Sequence, residues 1–182
     1  MKFKASLAIL GEFFEITCIM AAVIVLCYIF VGQLLEVSGE SMFPTFKDKE
    51  QLVAEKLSLS YKPPVRGEVV IFEHPTQKGE LIIKRIIGMP GERITIKNGD
   101  VYINDNILDE PYLADGTKTE GNITIKDDAE FIIPEDNYVL MGDNRGKSTD
   151  SRYWGTINID NMVGRGLFVY FPLKNFRILI DN

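Results

Sequence analysis

The chain has 182 residues, 20 Lys and Arg against 26 Asp and Glu, and a formal net charge of −6. No basic face stands out, which argues against a nucleic-acid partner. A single histidine and two cysteines leave too few ligands for most zinc sites. Both cysteines, Cys18 and Cys27, fall in one apolar run, so they carry no information on redox compartment.

That run, from Ile16 to Leu35, is broken only by Thr17 and Gln33. About 20 helical residues at 1.5 Å of rise reach roughly 30 Å, the hydrocarbon thickness of a bilayer. A buried core helix is normally shorter and amphipathic. A cleaved signal peptide has an apolar region of about 7–15 residues and a small-x-small cleavage site. Here the run leads into Gly32-Gln33-Leu34-Leu35-Glu36 with no Ala-x-Ala. The sequence therefore predicts a short N-terminal tail and one retained transmembrane anchor over 1–36, followed by a globular domain over 37–182. Lys2 and Lys4 before the run are balanced by Lys47 and Lys49 after it, so charge does not orient it. A short tail and a long following domain fit an N-inside arrangement.

After the anchor the pattern becomes strand-like. Glu68–Phe72, Leu81–Ile87, Arg93–Lys97, Val101–Asn104, Asn122–Ile125, Phe131–Ile133, Tyr138–Met141, Val163–Phe171 and Phe176–Ile180 read as short strands rich in Ile and Val. Asn98-Gly99 between alternating segments is a two-residue hairpin signal. No amphipathic helix of useful length follows residue 36. The domain should be mainly β, a sandwich or a partly closed barrel.

Three segments carry chemistry. Gly39-Glu40-Ser41-Met42-Phe43-Pro44-Thr45 sets a serine between a glycine and a proline, although a plain polar turn would have similar composition. It is not a Gly-x-Ser-x-Gly elbow, since Phe43 stands where the second glycine belongs. A nucleophilic Ser41 needs a base. His74, in Glu73-His74-Pro75, sits in a turn context that favours a plain exposed histidine. Lys84 shares a strand face with Ile82 and Ile86, while Ile83, Arg85 and Ile87 take the other. Burial of that face would lower the lysine pKa toward the range of a general base; an edge lysine that blocks aggregation is the bland alternative. Arg85 stays protonated and cannot serve. The third segment, Met141 to Gly155, is dense in hydroxyl, carboxylate and guanidinium groups. Arg145 and Lys147 stand where a calcium loop needs oxygen ligands.

In this order, Gly-Glu-Ser-Met-Phe-Pro-Thr at 39–45, Arg-Gly-Glu-Val-Val-Ile-Phe at 66–72, Lys-Arg-Ile-Ile-Gly-Met-Pro-Gly-Glu at 84–92 and Gly-Asp-Asn-Arg-Gly-Lys-Ser-Thr-Asp-Ser-Arg-Tyr-Trp-Gly at 142–155 resemble bacterial type I signal peptidases. The resemblance implies Ser41 as nucleophile and Lys84 as general base. It implies Ser148 hydrogen-bonded to the lysine amine, Asp150 and Arg152 as a supporting ion pair, and the Ser41 backbone N–H as an oxyanion donor. It further implies no metal and no cofactor, and preprotein substrates with small residues at −1 and −3. The catalytic domain would lie on the extracytoplasmic side of the cytoplasmic membrane, on a single-pass anchor. Some members carry a serine two positions before the nucleophile to help hold the oxyanion; here that residue is Gly39. The stretch between Lys97 and Met141 is too short for the large accessory domain of other members. Phe43, Phe46, Tyr153 and Trp154 are candidates for the lipid interface or for the core. Two rivals stand beside this reading. One is a self-cleaving Ser/Lys repressor, which would need a DNA-binding module in place of the anchor. The other is a catalytically silent anchored β-domain adaptor.

Overall fold

The computed structural model describes the backbone of residues 2–30 and 32–179, with side chains over 10–26 and 32–179. Helix α1 spans Lys2–Phe30, and its described side chains, from Leu10 to Leu26, are all exposed. The apolar run does not stay helical to Leu35. Gly32–Glu36 forms strand β1, which pairs antiparallel with β2 (Gln51–Glu55). Between Glu15 and the helix end, the apolar part of α1 is thus shortened to roughly 22 Å. Among the described residues no helix is long and apolar enough to cross a membrane, so the expected transmembrane helix is not a feature of this structure. β1, which ends at Glu36, belongs to the larger sheet.

The rest is mainly β and antiparallel. β3 (Val69–Glu73), β4 (Leu81–Gly88), β5 (Arg93–Lys97) and β6 (Asp100–Ile103) lie where the alternation placed them, within one residue. At the β5–β6 turn Asn98 and Gly99 both have positive φ, 55° and 86°, the conformation the Asn-Gly pair favours. β7 (Asn106–Ile107), β8 (Phe131–Ile132), β9 (Asn137–Met141), β10 (Ile157–Asn158), β11 (Met162–Phe171) and β12 (Arg177–Ile178) complete the set. The larger sheet has the order β1-β2-β11-β3-β4-β9-β10, with β12 on β11; the smaller has the order β7-β6-β5-β8.

Asn122–Ile125 is not a strand. Ile125 is fully buried, yet the segment folds back on itself through Asn122 N–H to the Ile125 carbonyl. Ile180, at the end of the last expected strand, lies outside the described residues. As expected, no long helix follows residue 36 among the described residues; α2, at Ser151–Trp154, is a single turn.

Two cores flank β4. Val70, Phe72, Ile86, Tyr138 and Leu140 pack on one side, with Ile82 and Trp154 against them. Met42, Phe46, Leu52, Val69 and Ile71 pack on the other, with Ile83. A third core of Ile87, Ile94, Ile96, Val101 and Met141 joins the two sheets. Burial of apolar area, at about 20–33 cal/mol per Å², makes these clusters the main glue of the domain. They also hold β4 rigidly across its width.

Candidate active site

β4 places Lys84 in a buried slot. With a period of two, Lys84 follows Ile82 and precedes Ile86 on one face, and its cross-strand partner is Val70. The residue is 4% exposed. Burial lowers its amine from 10.5 to about 8; the nearby Asp150 and Asp143 charges pull it back up and Arg152 pushes it further down. Desolvation outweighs the carboxylates because neither comes within ion-pair distance. The amine donates instead to Ser41 Oγ at 2.8 Å.

Ser41 arrives from a tight turn between β1 and β2. Met42 and Phe46 are plugged into the core, Phe46 N–H bonds the Met42 carbonyl, and Gly39 N–H donates to Asp48 Oδ1 at 2.7 Å. Gly39 has φ +87° with open space around it. A serine there would adopt a left-handed backbone that side chains disfavour.

The loop after β9 closes over Ser41. Asn144 N–H donates to the Ser41 carbonyl at 3.0 Å, and Asn144 Nδ2 donates to the Glu40 carbonyl at 3.1 Å. A Cβ on Gly142 would come within 2.4 Å of the Ser41 carbonyl and 2.3 Å of Ser148 Oγ, so only glycine permits this approach.

Asp150 and Arg152, read as an ion pair from the resemblance, are paired in the fold. Arg152 Nε and Nη2 reach the two Asp150 oxygens, both at 2.8 Å. Asp150 also accepts from the Gly142 and Arg152 backbone N–H groups, capping α2. Arg152 Nη2 donates to the Arg145 and Ser148 carbonyls. The pair therefore ties the loop's ends together beside the lysine. Ser148 differs from expectation. Its Oγ is buried without a hydrogen-bond partner, because the Lys84 amine is taken up by Ser41 and the Ser148 side chain packs over Gly142.

Several residues went unassigned in the sequence. Arg85, beside Lys84 but on the opposite face, binds Asp143 through Nε at 2.9 Å and Nη2 at 2.7 Å. Thr45 donates to Asp143 Oδ2 at 2.5 Å, and the Arg85 guanidinium lies 4.0 Å over the Tyr112 ring. This cluster bolts the nucleophile turn to β4 and β9 from behind. Arg145 is buried with Glu110 and Thr119. Thr45, Arg85, Asp143 and Arg145 lie inside the blocks that carried the resemblance, where their residue types, unlike their partners, were visible, whereas Glu110, Tyr112 and Thr119 lie outside them. Of the four aromatic candidates, Phe46 is core and Trp154 half-buried, whereas Phe43 and Tyr153 are exposed. His74 lines the same groove as Ser41 and Lys84, yet its Nδ1 bonds Thr76 and its ring meets Trp154. Among the described residues no group of three His, Cys, Asp or Glu is placed to hold a metal ion. A cavity of about 800 Å³ lies behind the site against Arg85 and Tyr112 and includes neither Ser41 nor Lys84.

A serine hydroxyl against a buried lysine amine, on a β-scaffold, defines the class for comparison: serine hydrolases that use an amine where others use histidine. A family model described as signal peptidase, peptidase S26, matches residues 10–171. A probable signal peptidase I-2 of Synechocystis is 34% identical over 159 residues, spanning 84% of this chain and 69% of its own. Signal peptidase I of Bacillus caldolyticus is 35% identical over 171 residues, 90% of each chain. Signal peptidase I U of Bacillus subtilis is 35% identical over 144 residues, 78% of this chain and 76% of its own. The chain belongs to the signal peptidase family, peptidase S26, and is a serine endopeptidase.

Proposed function

We propose that the protein cleaves signal peptides from exported preproteins, with Ser41 as nucleophile and Lys84 as general base. The observation that carries this reading is the 2.8 Å contact between Lys84 Nζ and Ser41 Oγ, with the amine's pKa held at about 8 by burial. Near neutral pH a useful fraction of that amine is unprotonated. It takes the Oγ proton as Ser41 attacks the scissile carbonyl. The ammonium then gives that proton to the leaving amine, and a water attacks the acyl-serine with Lys84 again as base. The Ser41 N–H holds the oxyanion; Gly39 has no hydroxyl to add, so backbone donors carry that charge. Asp150 and Arg152 fix the loop, and Ser148 receives the lysine once the amine leaves Ser41.

Substrates have small residues at −1 and −3 and bind extended, in the manner of peptides that add to a sheet edge. The site works at a membrane surface on the extracytoplasmic side, with the exposed apolar side chains of α1 against the lipid. Support for this membrane contact comes from the exposed Phe13, Phe14, Ile16, Ile19, Val23 and Ile24 of α1. Ser41 follows Glu36, the end of β1, by five positions, at most roughly 18 Å of chain.

Incubating the purified chain, in lipid, with a preprotein and sequencing the product's new N-terminus tests the reading. One cut after small residues at −1 and −3, absent in Ser41→Ala, is expected; cleavage by Ser41→Ala would overturn it.

A further inference from the structure

The groove beside the reactive pair is about 280 Å³, and one of its walls has no part in the chemistry above. His74 and Trp154 meet there edge to face, ring centroids 5.1 Å apart and planes at 61°. Neither ring is loose. His74 sits at the β3–β4 turn, where its backbone N–H bonds the Glu80 carbonyl. Its Nδ1 accepts the Thr76 backbone N–H at 3.2 Å. Trp154 closes α2, packed against the core that includes Tyr138 and Ile157. Ile82, two residues before Lys84 on the same strand face, continues this wall toward the amine.

The direction of the reaction says which part of a substrate lies there. Lys84 must hand its proton to the nitrogen that leaves, so that nitrogen sits against Nζ and the chain behind it runs out over the lysine side of Ser41. The groove extends on that side from Lys84 past Ile82 to His74 and Trp154. We propose that the His74–Trp154 pair forms a subsite for the leaving chain, taking an apolar or aromatic side chain among the first two residues after the scissile bond. This rests on the proposed cleavage reaction. Its chemistry follows from the walls: two fixed aromatic rings and an isoleucine favour an apolar guest through area and edge-to-face contact. At the rim Lys147 is taken by Glu40 at 2.7 Å, and Glu80 adds a carboxylate that disfavours an acidic guest. His74 here is a specificity-determining residue, not a catalytic one.

Trp154 is the chain's single tryptophan, so its emission reports this wall directly. The full chain carrying Ser41→Ala, in lipid, is titrated with a peptide matching the start of a mature chain, with Phe or Ser as its second residue. The Phe peptide should change the emission saturably and bind at least about threefold tighter than the Ser peptide. Adding His74→Ala should erase that preference, and His74→Tyr should keep it. In the active chain, His74→Ala should likewise shrink the Phe-over-Ser ratio of kcat/KM at the leaving positions, while the Ala-over-Leu ratio at −1 stays the same. No emission response to the leaving peptide, a preference untouched by His74→Ala, or a shift at −1 instead would each overturn the subsite. Peptide binding with these preferences but no preprotein cleavage would sink the proposed reaction and leave the subsite standing.

Discussion

Lys84 and Arg85 are neighbours on one strand, buried to the same depth at 4% and 5% exposure, and they live in opposite chemical worlds. Arg85 faces a carboxylate that grips it with two hydrogen bonds and an aromatic ring that covers it. Lys84 faces isoleucines and a hydroxyl, and among the described residues no carboxylate pairs with it directly. The difference teaches that burial alone does not decide a cation's role. A buried charge that is fully paired becomes structure; one left without a counter-ion gives up its proton and becomes a base.

The most severe break in this contrast is Lys84→Arg. It keeps charge and length but replaces a titratable amine with a guanidinium that stays protonated. Cleavage should fall by about 10³-fold or more, while circular dichroism stays native; general-base contributions of 10²–10⁴ set that scale. His74→Ala should still cleave. A surviving Lys84→Arg enzyme would give the proton to some other group.

The reverse experiment is performed on Arg85. Arg85→Met strands Asp143 as a buried unpaired carboxylate, and denaturant unfolding should register a loss of about 3–5 kcal/mol. Arg85→Met with Asp143→Leu should recover much of it, a coupling that a double-mutant cycle reads. Equal losses in single and double variants would mean the pair is not what ties the turn to the strand.

Lys84→Met should do the opposite to stability. Holding the amine at about 8 rather than 10.5 costs on the order of 3 kcal/mol whenever it must be charged in the fold. Between those values the unfolded chain binds more protons, so wild-type stability rises with pH through that window and the deficit is complete below it. Lys84→Met should therefore unfold later than wild type at pH 7, by about 1–3 kcal/mol, with the gap closing toward pH 10. A variant less stable than wild type at pH 7 would show that the amine is not strained by burial.

Strand β4 was legible because its alternation is strict: Ile82, Lys84 and Ile86 against Ile83, Arg85 and Ile87. The hairpin at Asn98-Gly99 was legible for the same local reason. β1 and β2 were not. Gly32–Glu36 reads as the end of an apolar run, and only pairing with Gln51–Glu55 makes it a strand. Asn122–Ile125 erred the other way, its β-branched residues filling a buried turn. At the site, residue types could be read but not partners. Asp143 and Arg85 are 58 residues apart, and nothing in either segment announces the other. Ser148 shows the limit of inference from motif, since its place beside Gly142 follows from packing.

The smallest expected effect concerns Gly39. Its φ of +87° means that Gly39→Ser would add a hydroxyl at the price of about 1 kcal/mol of backbone strain. We expect no gain in kcat and a small loss in thermal stability. A rise of tenfold or more in kcat would mean that the turn relaxes to present the hydroxyl.

The pH profile of kcat/KM bears most directly on Lys84. If the buried amine is the base, the rate climbs as pH rises and the acid limb bends at an apparent pKa of about 8, the value burial imposes. An acid limb bending near 6.5 that disappears in His74→Ala would place the proton on the histidine and contradict the account.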